Sequence, residues 1–541
     1  ARAANPRPTP PPAPSAGGGR VRPVVLAAVF VTGAVTLALE VVASRALTPY
    51  VGGSLFVWTA ILSVTLLALA GGYHLGSRWS ARFDPRRLFV RLPAVTALVL
   101  CAVAVLYPIV LPGIAYADAL AGAFVGSALV LGPVLVLTSA MGPLGIALFH
   151  TSGGDGGAGE VFAVSTVGSV IGALVASFTL LPYMPPAATM VLLAGVLAAV
   201  SAGALVLGRD RLTLAGLLPV AAVALAGAGA SLAAPPQTVD LGLYEARHVA
   251  TERGAHGTVV VVDVAREGYP GTVRLYLEEN QMQSARSIDG QGDRPGEPLF
   301  YVAVAEAVLQ AHLPDAARVL MLGLAGGTLA TDLAAAGHGV TAVDINPRAP
   351  EVAEKWFGFD PAAVTVRIED GRRHLAHCGA GPGEHRPYDA IVFDTFSGLS
   401  VPDHLVTAEA FAAARSCLVP GGLLVANTIV PPLDARPTRR LMAAIATGME
   451  ADLAVYQSDD ARRRNRIMVA RKDGPPPGAI DLEAYPSSLF VRRARRLDPA
   501  IVTRDALADT APLTDRRNDF ALATARMARD LSHFPIPASW Y

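Results

Sequence analysis

Along the first 233 residues, apolar positions run together in stretches too long and too uniform to be one face of a soluble helix. They fall at roughly 24–43, 55–76, 92–112, 119–149, 161–181, 187–207 and 213–233. A helix needs about 20 apolar residues to cross the hydrocarbon of a bilayer, so the pattern predicts seven membrane spans. One such run could be a signal peptide, but a series of seven is not. Beyond "AAPPQ" at 233–237 the pattern changes to short apolar runs broken by charges and turn residues, which marks the start of a water-exposed domain. There "GTVVVVDV" (257–264) and "TVRLYLE" (272–278) read as strands separated by the turn "REGYPG". Further on, apolar runs near 319–322, 340–343, 364–368, 389–393 and 422–427 punctuate an α/β region over about 298–475.

Charge orients the helices. Arg2, Arg7, Arg20 and Arg22 precede the first span, "SRWSARFDPRRLFVR" follows the second, and Arg209 and Arg211 lie between the sixth and seventh. Cytoplasmic loops retain positive charge, which predicts a cytoplasmic N-terminus. Seven spans would then carry the rest of the chain outside, unless 213–233 is not a full crossing, so the side of the soluble domain stays open. The Pro- and Gly-rich segment 1–22 cannot bury a core and is expected to be a disordered tail.

With 541 residues, 52% hydrophobic, 16% charged and a net charge of zero, the chain lacks the basic footprint of a nucleic-acid binder. Cys101, Cys378 and Cys417 are far apart in sequence, with no CxxC spacing. Neither a disulfide framework nor a metal site is expected.

The chemistry concentrates in "VLMLGLAGGTLATDLAAAGHGVTAVDINP", residues 319–347. Gly323, Gly326 and Gly327 would let the backbone approach a ligand and let a helix start at once. A tight turn with no ligand is the plain alternative. Asp344, at the end of the second strand, can accept hydrogen bonds from two ribose hydroxyls. Asp370, in "EDG" after the third strand, could stand near an adenine amino group. Asp394 closes the fourth strand, where open α/β sheets place their ligand crevice.

The order "LYLEENQMQS", "FYVAVAEAVL", "VLMLGLAGGT", "VTAVDIN", "EDGRRHL", "YDAIVFDTFS" and "LVTAEAF" resembles the spermidine synthase (polyamine aminopropyltransferase) family over roughly residues 240–430. Upstream, "GAVTLALEVVASRALTPYVGGSLFVWTAILSVTLLALAGGYHLGSR" resembles the membrane part of fused bacterial proteins that join a transporter-like bundle to such a domain. The resemblance implies a multi-pass α-helical membrane domain (23–233), a small β unit (234–297), an α/β class I methyltransferase-like, Rossmann-like domain (298–475) and a C-terminal extension (476–541) to which no role is given. It implies transfer of an aminopropyl group from decarboxylated S-adenosylmethionine to a polyamine or other small amine, with no metal. Asp344 would hold the ribose, Asp370 the adenine, and Gln283 with His256 the nucleoside side of the cleft; Asp394 and Tyr301 are the catalytic candidates. The lipid bilayer and a second copy of the chain are expected partners, nucleic acid is not. Methyl transfer from S-adenosylmethionine, or a non-catalytic domain sensing a nucleoside or polyamine, are the alternatives.

The chain departs from the family pattern where that pattern is acidic. "GLAGGT" lacks the turn's Asp, Ser397 stands where a second Asp of the loop would be, and Val302 and Ala303 replace a polar pair after Glu297 and Tyr301. Asp289, Asp403, Glu278 and Glu279 could compensate. In the first span Glu40 is expected to face the bundle and a polar partner, which Arg45 could supply unless it reaches instead to the headgroups.

Overall fold

The computed structural model describes residues 18–51, 55–115, 119–151, 157–208, 236–242, 244–254, 256–266, 271–288, 300–378, 387–396, 401–457, 465–481, 496–524, 536–537 and 540. The apolar segment 213–233, most of the segment 1–22, Asp289, Glu297 and Ser397 lie outside them. Two compact units are formed, one by the apolar helices and the other chiefly by Ala234–Tyr541.

In the first unit the helices are α1 (Gly18–Val51), α2 (Leu55–Arg82), α3 (Pro85–Ala115), α4 (Ala119–Ser139), α5 (Met141–Thr151), α6 (Gly157–Val175) and α7 (Pro186–Gly208). Among the described residues, six helical stretches are long and apolar enough to cross a membrane, with α4 and α5 forming one of them. Their outer faces are as oily as their inner ones: Leu66, Leu67, Ile109 and Phe178 are exposed while Leu39, Leu47, Ile61 and Leu100 are buried. Helices that are apolar all round suit a lipid solvent. The carboxylate of Asp84 accepts the Arg86 N–H at 3.0 Å and starts α3, with Pro85 in the first turn, where its missing N–H costs nothing. Gly168 and Gly172 let α6 lie against α1, since a Cβ there would stand 2.1 Å from the Phe30 carbonyl oxygen and 2.0 Å from that of Ala34.

The second unit begins with a five-stranded antiparallel sheet of β1 (Thr238–Asp240), β2 (Tyr244–Gly254), β3 (Gly257–Arg266), β4 (Thr272–Glu278) and β5 (Gln281–Ser287) in sequential order. The two strands expected from sequence are β3 and β4. The main sheet contains β6 (Arg318–Leu322), β7 (Gly339–Asp344), β8 (Val364–Ile368), β9 (Tyr388–Phe393), β10 (Leu418–Ile429), β11 (Leu453–Gln457) and β12 (Asn465–Arg471). A pair of two-residue strands, β13 (Ile480–Asp481) and β14 (Arg496–Leu497), stands apart, and β15 (Ala500–Val502) closes one edge of the main sheet. The order is β15-β11-β12-β10-β9-β6-β7-β8, with β8, β7, β6, β9 and β10 parallel and β12 antiparallel to β10. This is a methyltransferase-like doubly wound sheet. From β6 the chain moves outward to β7 and β8, then returns to place β9 on the other side of β6. That reversal opens a crevice at the carboxyl ends of β6 and β9.

The C-terminal extension acquires a structural role. Leu507, Leu513 and Phe520 join the buried core beside the helix Arg436–Met449, and Trp540 is buried against β2–β5, with its indole N–H donating to the Pro236 carbonyl at 2.8 Å.

Candidate active site

The crevice is built by backbone constraints first. Gly323 has φ +97° and donates its N–H to the Val343 carbonyl at 2.8 Å, while Asp394 donates its N–H to the Leu322 carbonyl at 2.9 Å. A Cβ on Gly323 would lie 2.0 Å from the Asp394 carbonyl oxygen, so only glycine lets the ends of β6 and β9 meet. Gly326 and Gly327 serve packing: Cβ atoms there would press on Ser284 and on the Phe359 ring, at 2.7 Å in each case.

At this point a cavity of about 300 Å³ opens. Of the residues singled out from sequence, Gly323, Asp344, Asp370, Asp394, Gln283 and His256 line it; Gly326, Gly327 and Tyr301 do not. Glu278 and Glu279, from the β4–β5 turn, face it too, whereas Asp403 does not line it and gives its carbonyl oxygen to the Asn518 amide at 2.7 Å. Among the described residues the wall therefore carries five carboxylates and two histidines, and neither Lys nor Arg.

The carboxylates differ in setting. Asp344 accepts the Leu324 N–H on Oδ2 at 2.9 Å and the Asn346 N–H on Oδ1 at 2.8 Å. Burial still pushes its carboxyl above the usual range, against those hydrogen bonds. The Ala325 N–H is a third backbone donor to this carboxylate. For Asp370, burial pushes upward, but the Arg373 N–H at 2.9 Å and His404 Nε2 at 2.9 Å outweigh it and hold the carboxyl below its ordinary value. Burial raises Asp394 to about 6 even though Asn427 donates an amide N–H to its Oδ1 at 2.8 Å. The Tyr301 hydroxyl lies between the Gln283 carbonyl oxygen, at 2.9 Å, and the Asp394 carboxylate, and can give its proton to either. Because a carboxylate only accepts, Asn427 must turn its NH2 toward Asp394, and its carbonyl oxygen then receives the Asn465 amide at 3.1 Å. Tyr276 is buried beneath, and its hydroxyl is held neutral by burial first and then by Glu278 and Asp344.

Sequence reasoning missed Asn427, His404, Asn346 and Tyr276. Asn427 had a signal: it interrupts the apolar run "LLVANTIV" near the carboxyl end of the fifth parallel strand. His404 had none, since its partner Asp370 is 34 positions away.

No family model matches the chain. Among curated proteins, it is 34% identical over 152 residues to the polyamine aminopropyltransferase of Vibrio vulnificus, covering 27% of this chain and 48% of that protein. It is 30% identical over 200 residues to polyamine aminopropyltransferase 2 of Hyperthermus butylicus, covering 34% and 63%. A shorter stretch of 123 residues is 37% identical to the human eEF1A lysine and N-terminal methyltransferase, covering 20% and 17%. The chain thus spans about half, or somewhat under two thirds, of the length of the aminopropyltransferases it matches. Among solved structures, a probable spermidine synthase from Corynebacterium glutamicum aligns at 18% identity with a TM-score of 0.38, covering 49% of this chain and 96% of that one. The α/β domain is similar in sequence to polyamine aminopropyltransferases.

Proposed function

We propose that this chain is an aminopropyltransferase-like enzyme of polyamine biosynthesis, carried by a multi-pass membrane bundle. It would take decarboxylated S-adenosylmethionine and pass the aminopropyl group to a polyamine or other small amine. The charge of the crevice carries this reading: five carboxylates with no Lys or Arg among the described lining residues suit a sulfonium beside an ammonium. In the reaction the amine lone pair forms a bond to the carbon next to sulfur, and the C–S electron pair leaves on sulfur as a neutral thioether. The new ammonium then sheds a proton. Asp344 and Asp370 take the ribose and adenine, and Asp394, ionised at neutral pH but close to its pKa, receives the proton. Alignment of amine and carbon supplies the remaining acceleration.

Methyl transfer from S-adenosylmethionine is a second reading. It is favoured by the stretch similar to the eEF1A methyltransferase and by Ala325 in the glycine turn, where the aminopropyltransferase pattern carries an acid. Calorimetry on the detergent-solubilised full chain with decarboxylated S-adenosylmethionine, S-adenosylmethionine and methylthioadenosine separates the two. Product analysis with 1,4-diaminobutane completes the test. Tight binding of the decarboxylated form with an aminopropylated product supports the first reading; preference for S-adenosylmethionine with a methylated product replaces it. Nucleoside binding with no product would favour a sensor.

We place the crevice on the cytoplasmic side, where adenosyl sulfonium compounds are expected. A reporter fused after Tyr541 tests it.

A further inference from the structure

The helical unit contains a buried acid that the transfer reaction does not use. Glu40, in the second half of α1, is 6% exposed. No hydrogen bond or ion pair joins it to any described residue, the expected partner Arg45 included. Residues four apart on a helix stand above one another on one face, so Thr32, Thr36 and Glu40 form a line along α1. Thr32 and Thr138 are buried as well. The Thr36 hydroxyl reaches the Thr32 carbonyl oxygen at 2.8 Å and the Thr138 hydroxyl of α4 at 2.9 Å. Glu40 therefore lies one turn further along the α1 face that meets α4, on a stretch of helix where Leu39, Val42 and Ala43 are buried too.

A carboxylate in such surroundings either keeps a proton or meets a cation. We propose that Glu40 is a cation site inside the helical unit, and that its ligand is a primary ammonium group. An ammonium has three N–H donors to place. The carboxylate and the remaining lone pairs of the Thr36 and Thr138 hydroxyls supply acceptors along a single face, whereas a lone proton would need only the carboxylate. The inference rests on reading the helices as membrane-spanning and does not depend on the chemistry in the crevice.

The test is equilibrium dialysis of radiolabelled 1,4-diaminobutane against the full chain in detergent, with binding sites counted for the wild type, Glu40→Gln and Asp394→Asn. Loss of one site in Glu40→Gln, with nucleoside affinity in the crevice unchanged, is the expected result. Asp394→Asn removes or weakens a different site, so failure of the crevice reading alone would leave a wild-type site that still disappears in Glu40→Gln. Thr138→Val keeps the acid and is expected to weaken the same site by about tenfold, the size of one hydrogen bond to a charged group. Tetramethylammonium, which has no N–H, is expected not to compete there. An unchanged site count in Glu40→Gln overturns the proposal, as does unchanged affinity in Thr138→Val or equal competition by tetramethylammonium.

Discussion

Asp370 and Asp394 line one cavity and begin as the same chemical group, yet their surroundings drive them in opposite directions. Asp370 caps the helix Gly371–Cys378, where backbone N–H groups and His404 favour its negative charge. Asp394 is sunk between β9 and β10, where burial outweighs the amide of Asn427 and brings the carboxyl to about 6. The first is suited to hold a ligand over a wide pH range, the second to exchange a proton near neutrality. The comparison teaches that the charge state of a carboxylate in this crevice is set by its environment, not by residue type.

The largest expected effect breaks the recognition side. Replacing Asp344 by Ala removes the proposed acceptor for two ribose hydroxyls and should cost about 3 kcal/mol or more, roughly a hundredfold in Kd. Calorimetric affinity that stays unchanged would remove the ribose assignment. On the proton side, Asp394→Asn should lower turnover by about 10²-fold or more while shifting nucleoside Kd by less than about threefold. Equal losses in Kd and kcat would mean that Asp394 is a binding group. Turnover by the wild type should rise as pH passes through about 6 and then level off, because Asp394 acts when ionised. Replacing Asn427 by Leu removes a donor that favours the charge, and should move that limb upward by about one pH unit. A limb that does not move would separate Asn427 from the chemistry. The smallest effect belongs to His404→Ala. Asp370 loses one of the groups that favour its charge, and nucleoside affinity measured at pH 5 and pH 8 should change by no more than about threefold.

The same pKa has a sign for folding. Asp394 binds its proton more tightly folded than unfolded, so its contribution to stability is full below about pH 4 and fades as pH rises through about 6. Asp370 behaves oppositely and loses its contribution in acid.

Much of the α/β domain was legible because buried parallel strands read as unbroken apolar runs. The five expected runs coincide with β6, β7, β8, β9 and β10, and acids at their carboxyl ends mark the crevice. The strand β2, "YEARHVATERG", was hidden because charged and polar residues dominate it. The extension after 476 was hidden because its buried residues, Leu507, Leu513, Phe520 and Trp540, are scattered among Arg and Asp without a period. Contacts across sequence distance left no trace either. Cys378 and Cys417, far apart along the chain, pack into the same buried cluster, and the Cys417 thiol is pushed far up by its hydrogen bond to Cys378 and by burial.

The missing side chain of Gly323 has a consequence for how this crevice can change. Because the loop after β6 rests directly on the backbone after β9, a methyl group added there would pry apart the Asp344 and Asp394 sides of the crevice in a single step. The floor of the crevice is thus one piece, in which neither strand end can shift without the other.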